Sequence, residues 1–528
     1  MVRISNIVIV DGTGAPPYLG EVLVTGNRIA RVRRGGICSD EGVTIDGGGG
    51  FLTPGFIDTH SHTDLAPFLE EGMRQKIMQG ITSEVTGVCG LGVAPVTALE
   101  RPGFRRRLIF GDPGAPWNWE RFDEYLSALR TRRLEHNLIP FAPHGVLRQF
   151  VAPLSTGPLT TNERDALTQA LEECFAAGAV GVSMGRIYLP ALFADQDELQ
   201  RVFDVAAAHG RMVAVHMRSE SDEIVEAMDE LIRLAGKHPE VLHVSHLKVI
   251  GERNSAKLKE LFTRIDHHGL SFDQYPFNFG STTLLSLIPP HIFAHKSLPE
   301  VLLTLSEESV IQEVELILSE ARSLPPGTPW DNLPALVGWE NIVITDLQHE
   351  TSLIGLSMAK ASADRGISPV RFLLGLLQRE GGNVRMTDRY MEEQLVEAIF
   401  LHDGSMVGTD SLPGGIPHPR NYGSFPKIIN DFVFKRKLIS LESAVAKMTS
   451  VPARRLGLTD RGVIREGAIA DLALFGPDFH LPRSESEHTG LRFLFVGGAM
   501  KVADGEYRDI RSGSLLLQGS GAGGVPQS

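Results

Sequence analysis

The chain has 528 residues, 42% hydrophobic and 22% charged, the makeup of a globular protein with more than one domain. Its formal net charge of −13 argues against non-specific binding to nucleic acid or an anionic membrane, but not against a small anion held in a locally basic pocket. Three cysteines, Cys38, Cys89 and Cys174, make no disulfide framework and fit a reducing, cytoplasmic compartment.

The opening stretch MVRISNIVIVDGTG lacks the apolar region and cleavage site of a signal peptide. No run is long and apolar enough for a membrane span. Residues 1–52 then read as short alternating strands broken by Asp11-Gly12 and Gly26-Asn27 turns. They are too few to bury a core alone. The same short-strand pattern returns in GVIREGAIADLALFG and LRFLFVGGAMKVADGEY, which predicts one small β-sandwich domain built from residues 1–52 and 461–512.

Between them, residues 53–460 alternate short apolar runs with amphipathic stretches. The runs GFIDTHSH, SEVTGVCG, IPFAPHG, AVGVSMG, MVAVHM, VLHVSHLK, SFDQYP and SMVGTDS supply eight candidate strands. Strand–helix alternation implies parallel strands with crossover helices, and eight of them fit an α/β fold of the (β/α)₈ TIM-barrel type. Residues 290–400 read as a helix-rich insertion with few strand signals, and residues 513–528 as a flexible Gly/Ser-rich tail.

In such barrels chemistry sits at the C-terminal strand ends. His60 and His62 follow the first run two residues apart, so on a strand they share a face. Cys89 ends the second run between Gly-containing turns; His216, His246 and Asp410 end later ones. By the same period of two, Lys248 faces with His246, while His243 falls on the other face and reads as structural. His144 is read as packing, and Cys38 and Cys174 as ordinary small residues. Four histidines, one cysteine and one carboxylate suit zinc, which brings the pKa of a bound water near ~7. Asp410 is placed to bind metal and also to carry a proton. The reaction class that follows is hydrolysis at a carbonyl-type centre.

The motifs DGTG (11–14), PGFIDTHSHTD (54–64), ITSEVTGVCG (81–90), GAVGVSMGRIYLP (178–190), VHMRSE (215–220), VSHLK (244–248), FDQYPFNFGST (272–282), VGTDS (407–411) and HPRNYGSFP (418–426) resemble the amidohydrolase superfamily. Within it, they resemble the N-acyl-D-amino acid deacylase (D-aminoacylase) branch over nearly the whole chain. The resemblance implies a barrel with a split β-sandwich and a zinc held tightly by Cys89, His216 and His246. It implies a second, weaker metal position at His60, His62 and Asp410, and Asp410 as general base, then acid. The substrate is implied to be a small N-acyl amino acid whose α-carboxylate meets Lys248, Tyr275, Ser281 and Arg420, with Tyr188 also at the substrate. Three features depart from the branch: Ser411 after the aspartate, Leu247 after His246, and PHGVLR (143–148) in place of a GHxxxR segment. No Lys or Arg occurs in LLSLIPPH (284–291), which leans the expected D-residue toward a neutral or apolar one. Two other readings compete: an amidohydrolase for cyclic or otherwise carboxylate-free amides or amines, and a non-catalytic binding protein on the same fold.

Overall fold

The computed structural model describes all residues except 36–41, 70–71, 102–116, 154, 478, 485–486, 488 and 519–528. Cys38 therefore lies outside the described residues. Eight short parallel strands form the central sheet: Phe56–Asp58 (β1), Ile81–Thr86 (β2), Asn137–Pro143 (β3), Gly181–Gly185 (β4), Met212–His216 (β5), Leu242–Val244 (β6), Ser271–Gln274 (β7) and Ser405–Val407 (β8). They pair in chain order from β1 to β8. Just past their ends the first and last strands also meet. Thr59 N–H donates to Val407 O (3.1 Å), Asp410 N–H donates to His60 O (2.8 Å), and Ser61 bridges Ser411. These contacts close the sheet into the expected barrel.

All eight runs expected to be strands overlap one, and two of those strands, Ile81–Thr86 and Asn137–Pro143, begin two residues before the expected run. β2, β4 and β5 are buried at every residue, as strands covered on both faces must be. The helices between them carry local start and stop signals. Thr161–Ala177, for example, begins at a Thr160–Glu163 capping box and ends at left-handed Gly178.

Nine strands from the two ends of the chain form a second sheet. Phe51–Pro54 pairs antiparallel with Leu472–Phe475, which ties the N-terminal part to the C-terminal part. This sheet has its own apolar core, including Ile4, Ile7, Val22, Leu472 and Phe495.

Two expectations need correction. The segment 290–400 has helices, yet it also contributes Ile342–Asp346 and Arg385–Arg389 to a three-stranded antiparallel sheet with Phe279–Thr283. Arg385–Arg389, the central strand, reads RMTDR. Its polarity hides it from a hydrophobic pattern; Arg385 is accommodated by pairing with Asp346. The second correction concerns the tail. Residues 513–518 lie against the barrel: Gly513 N–H donates to Leu134 O, Leu516 N–H to Leu138 O and Gln518 N–H to Gly178 O. Leu515, Leu516 and Leu517 add apolar contacts that the Gly/Ser content around them obscures. Residues 519–528 lie outside the described part.

Candidate metal centre

Side chains from five strands converge at one end of the barrel. His60 and His62 extend from β1, Cys89 from β2, His216 from β5, His246 from β6 and Asp410 from β8. All six are buried. The Cys89 Sγ lies 3.2 Å from His60 Nε2, 3.3 Å from His246 Nε2 and 3.9 Å from His216 Nδ1. His62 Nε2 is 3.1 Å from Asp410 Oδ1, and His60 Nε2 is 3.8 Å from the same oxygen. Two ligand groups result, His60–His62–Cys89 and Cys89–His216–His246, and the sulfur belongs to both.

The backbone must come close for this to happen, and two glycines allow it. A Cβ on Gly185 would stand 2.0 Å from Cys89 O, and one on Gly408 would stand 2.5 Å from His60 Cβ. Either contact would displace the strand end that presents a ligand.

Each of three imidazoles turns one nitrogen to the sulfur and the other toward a carboxylate. His60 Nδ1 lies 3.5 Å from Asp273 Oδ2. His246 Nδ1 lies 3.1 Å from Glu220 Oε1, and His216 Nε2 lies 3.5 Å from Glu220 Oε2. This is the arrangement that fixes tautomer and ring orientation in metal sites. Asp273 does more: its Oδ1 accepts from His246 N–H (2.7 Å) and its Oδ2 from His243 Nε2 (2.8 Å). His243 is therefore structural, as its strand face implied, and it reaches the centre through Asp273.

Burial holds His62, His216 and His246 below the usual imidazole range, in the neutral form that ligates. Burial also lowers His60, but the charges of Cys89 and Asp273 outweigh it and raise that ring well above its ordinary value. Burial pushes the Cys89 thiol up. A buried sulfur among three inward-turned imidazole nitrogens, each backed by a carboxylate, fits a borderline-soft cation such as Zn²⁺.

Burial raises the Asp410 carboxyl, but the Arg420 guanidinium and the His62 hydrogen bond overcome it and hold it well below the usual carboxylate range. Arg420 is wholly buried, with Nη1 2.9 Å from Asp410 Oδ2 and Nη2 donating to Ser281 O at 3.3 Å. Its guanidinium carbon sits 4.8 Å from the Tyr275 ring centroid, and its Nε has no hydrogen-bond partner among the described residues. Lys248 Nζ donates to Glu220 Oε1 (2.7 Å) and lies 2.6 Å from His246 Nδ1. Tyr188 sets its ring edge-on to His216 and its hydroxyl 3.4 Å from Thr282 Oγ1. Burial pushes the Tyr275 hydroxyl up to about 12, so it stays a neutral donor. Arg420, Tyr275, Lys248 and Tyr188 thus surround the centre; Ser281 enters through its backbone carbonyl.

His144 stands apart. Its Nε2 meets Glu198 Oε1 at 2.8 Å, and Arg148 donates to the same carboxylate, a buried packing unit under the neighbouring loops. Glu220 and Asp273 carry no role in the sequence reading, although both fall inside motifs quoted for it. Their signal was position: each acid lies within four residues of a strand end that neighbours a histidine-bearing one.

A cavity of about 1050 Å³ opens beside Cys89. Leu91, Val146, Ile187, Leu285, Phe293 and Trp330 are among its walls, so it joins strand-end loops to the inserted segment. No helix among the described residues is long and apolar enough to cross a membrane.

The sequence profile of the Amidohydrolase family matches residues 43–286 and 341–500, leaving out residues 287–340. The chain is 30% identical to a D-aminoacylase of Alcaligenes xylosoxydans xylosoxydans, over 97% of this chain and 96% of that one. It is 31% identical to an N-acyl-D-aspartate deacylase of the same organism, over 98% and 95%. Among solved structures, an N-acyl-D-glutamate deacylase from Bordetella bronchiseptica, complexed with zinc and a phosphonate inhibitor, superposes with a TM-score of 0.80 at 27% identity, covering 98% of this chain and 99% of that one. With the barrel, its convergent histidines and cysteine, and these likenesses in hand, the chain belongs to the amidohydrolase family.

Proposed function

We propose that this enzyme hydrolyses the amide bond of N-acyl-D-amino acids. The observation that carries the reading is the convergence of Cys89 with His60, His216 and His246, next to an ionised Asp410 paired with Arg420. The deacylase relatives named above support the substrate class. Cys89, His216 and His246 would hold one zinc, and His60, His62 and Asp410 a second position that shares the sulfur. When bound, zinc supplies Lewis acidity toward the amide carbonyl and acidifies water.

The remaining work falls to the chain's own groups. Asp410, ionised at neutral pH, accepts a proton from the attacking water and returns it to the departing amine nitrogen. His62, at 3.1 Å, holds the Oδ1 of that carboxylate in place. The Arg420 Nε, without a hydrogen-bond partner among the described residues, is a buried donor that a substrate α-carboxylate can satisfy; Tyr275, whose ring lies against the guanidinium, and Lys248, paired with Glu220, would complete an anion clamp. Burial of these groups excludes water and strengthens every charge interaction among them.

The apolar part of the cavity wall beside Cys89, with Leu91, Ile187, Leu285 and Phe293, favours a neutral, apolar side chain. Arg385 in its wall is already paired with Asp346. Lys296 stands at the same wall, so acidic side chains belong in the trial as well. The test is amine release by zinc-loaded protein from matched N-acetyl-D- and N-acetyl-L-amino acids with leucine, methionine, phenylalanine, aspartate and glutamate side chains. Turnover confined to the D-series, strongest with the apolar members, is expected. Silence on all of them with zinc bound would turn the reading to cyclic or otherwise carboxylate-free amides.

A further inference from the structure

The inserted segment reaches the metal ligands through one side chain. Asp331 lies between the helices Glu308–Leu318 and Leu333–Val337, far in sequence from β5. Its carboxylate nonetheless grips the loop that follows β5. Oδ1 accepts from the Ser219 hydroxyl at 2.6 Å and also from the Ser221 hydroxyl, and Oδ2 accepts from Glu220 N–H at 2.8 Å. These three donors bracket Glu220. Glu220 is the carboxylate that faces His216 at 3.5 Å and His246 at 3.1 Å, and it takes the Lys248 ammonium at 2.7 Å. The residue before Asp331 is Trp330, which lines the cavity and donates its Nε1–H to Ser286 O at 2.9 Å.

We infer that Asp331 is a positioning residue for the metal centre: it fixes Glu220, and through Glu220 the orientation of His216 and His246. A carboxylate that accepts from two hydroxyls and one backbone N–H defines the loop's backbone at the residue it brackets. Without it, the 219–221 hydroxyls and the Glu220 N–H lose their acceptor, and Glu220 loses one of its fixed points. Ile250 N–H holds the Glu220 carbonyl and Lys248 its carboxylate, but neither fixes the Glu220 N–H side of the loop; Arg253 and Asn254 hold Asp222. Outer partners of metal-bound histidines are worth about 10–100-fold in metal affinity. Because the adjoining residue walls the cavity, one turn of the inserted segment serves both the cavity and the ligand geometry.

The inference rests on His216 and His246 being ligands, and the experiment separates the two. Zinc affinity is measured by competition with a chromophoric chelator for wild type, Asp331→Ala, Asp331→Asn, Glu220→Gln, the double variant Asp331→Ala/Glu220→Gln, and His246→Ala. Melting temperatures of the zinc-free proteins are recorded alongside. Asp331→Ala is expected to weaken zinc about tenfold. Asp331→Asn should recover most of that loss, because an amide can accept from Glu220 N–H and donate to hydroxyls that turn round to accept. The double variant should be no weaker than Glu220→Gln alone, since both changes act on one path. Unchanged affinity in Asp331→Ala, or losses that simply add in the double variant, would overturn the role. So would an Asn variant as weak as Ala at an unchanged melting temperature. If Asp331→Ala does not fold, the Asn variant and Ser219→Ala/Ser221→Ala carry the test, the serine pair being expected to weaken zinc in the same direction and an unchanged affinity overturning the role. Zinc retained at full affinity by His246→Ala would instead overturn the ligand set, and this inference with it. None of these readouts depends on which amide is cleaved.

Discussion

Cys89, His246 and Asp410 all sit on left-handed backbone, with φ of 53°, 34° and 48°. Non-glycine residues adopt that conformation at a cost of ~1–3 kcal/mol each, and such residues collect where function demands a direction that regular structure does not supply. Here the turn swings each side chain off its strand end and into the centre. The roles proposed for these residues give separable outcomes. Asp410→Asn keeps the shape and the Arg420 neighbour but loses the base; kcat is expected to fall at least ~100-fold while bound zinc stays above half of wild type, checked by steady-state rates and metal analysis. Arg420→Ala reaches further than a substrate clamp would. It removes the charge that holds Asp410 low, so the Asp410 pKa rises, less of it is ionised at a given acidic pH, and the acid limb of kcat/KM moves to higher pH. KM for carboxylate substrates rises as well. A pH profile of kcat/KM with an unmoved acid limb would leave Arg420 as a clamp alone. The residues proposed as ligands stand out in the sequence because each closes an apolar run, although left-handed turns past the strand ends, and not the strand's period of two, aim Cys89, His246 and Asp410. Glu220 and Asp273 carry only the signal of position and Asp331 none, because a carboxylate declares its partner only when the folded chain brings it alongside.

Below the ligands, the strand elements carry a second polar layer. Lys76 Nζ meets Asp58, lies 3.3 Å from Glu84 and donates to Ser61 at 3.0 Å, while Thr409 N–H donates to Asp58 Oδ1 at 2.8 Å. Asp58 is on β1, Glu84 on β2, and Thr409 directly precedes Asp410, so this layer ties the first and last strands beneath the centre. Burial raises the Glu84 carboxyl, yet Lys76 and His136 outweigh burial and bring it to about 2 from an ordinary 4.5. Its folded value lies below its unfolded one. The contribution is therefore complete above about pH 4.5 and is lost as pH falls toward about 2. On the order of 3 kcal/mol is at stake for a shift of that size. Denaturant unfolding of wild type and Glu84→Gln between pH 6 and 2.5 is the check: the variant is expected to lose less stability across that interval. Equal slopes would show that the pair does not drive acid sensitivity. The element boundaries were legible where periodicity is strong, as in the eight barrel strands. They were not in 290–400, where LPEVLLTLSEESVIQEVELILSEARSL reads as one helical stretch but folds as Leu298–Thr304 and Glu308–Leu318. The break falls at Ser306-Glu307, and the Glu307 backbone is extended there.

At the scale of the molecule, the chain's two ends share the nine-stranded sheet, and residues 513–518 then return to the foot of the barrel beside Leu134, Leu138 and Gly178. Truncation after Ser512 removes three half-buried leucines and their backbone hydrogen bonds. It is expected to cost about 3 kcal/mol and several degrees of melting temperature, at unchanged zinc content. An unaltered melting temperature in differential scanning calorimetry would mean that this return contributes nothing to stability. By itself, the sequence determined the barrel, the type and order of its strands, and the identity of the side chains at their ends. Those follow from local periodicity and from strand ends pointing one way around a parallel sheet. Only the tertiary structure decided which carboxylate backs which imidazole, that Arg420 pairs with Asp410, and that an inserted loop reaches Glu220. Except for His216–Glu220, four positions apart, and Asp410–Arg420, ten apart, those contacts join residues tens to hundreds of positions apart, and no local pattern encodes a distance that only the closed barrel creates.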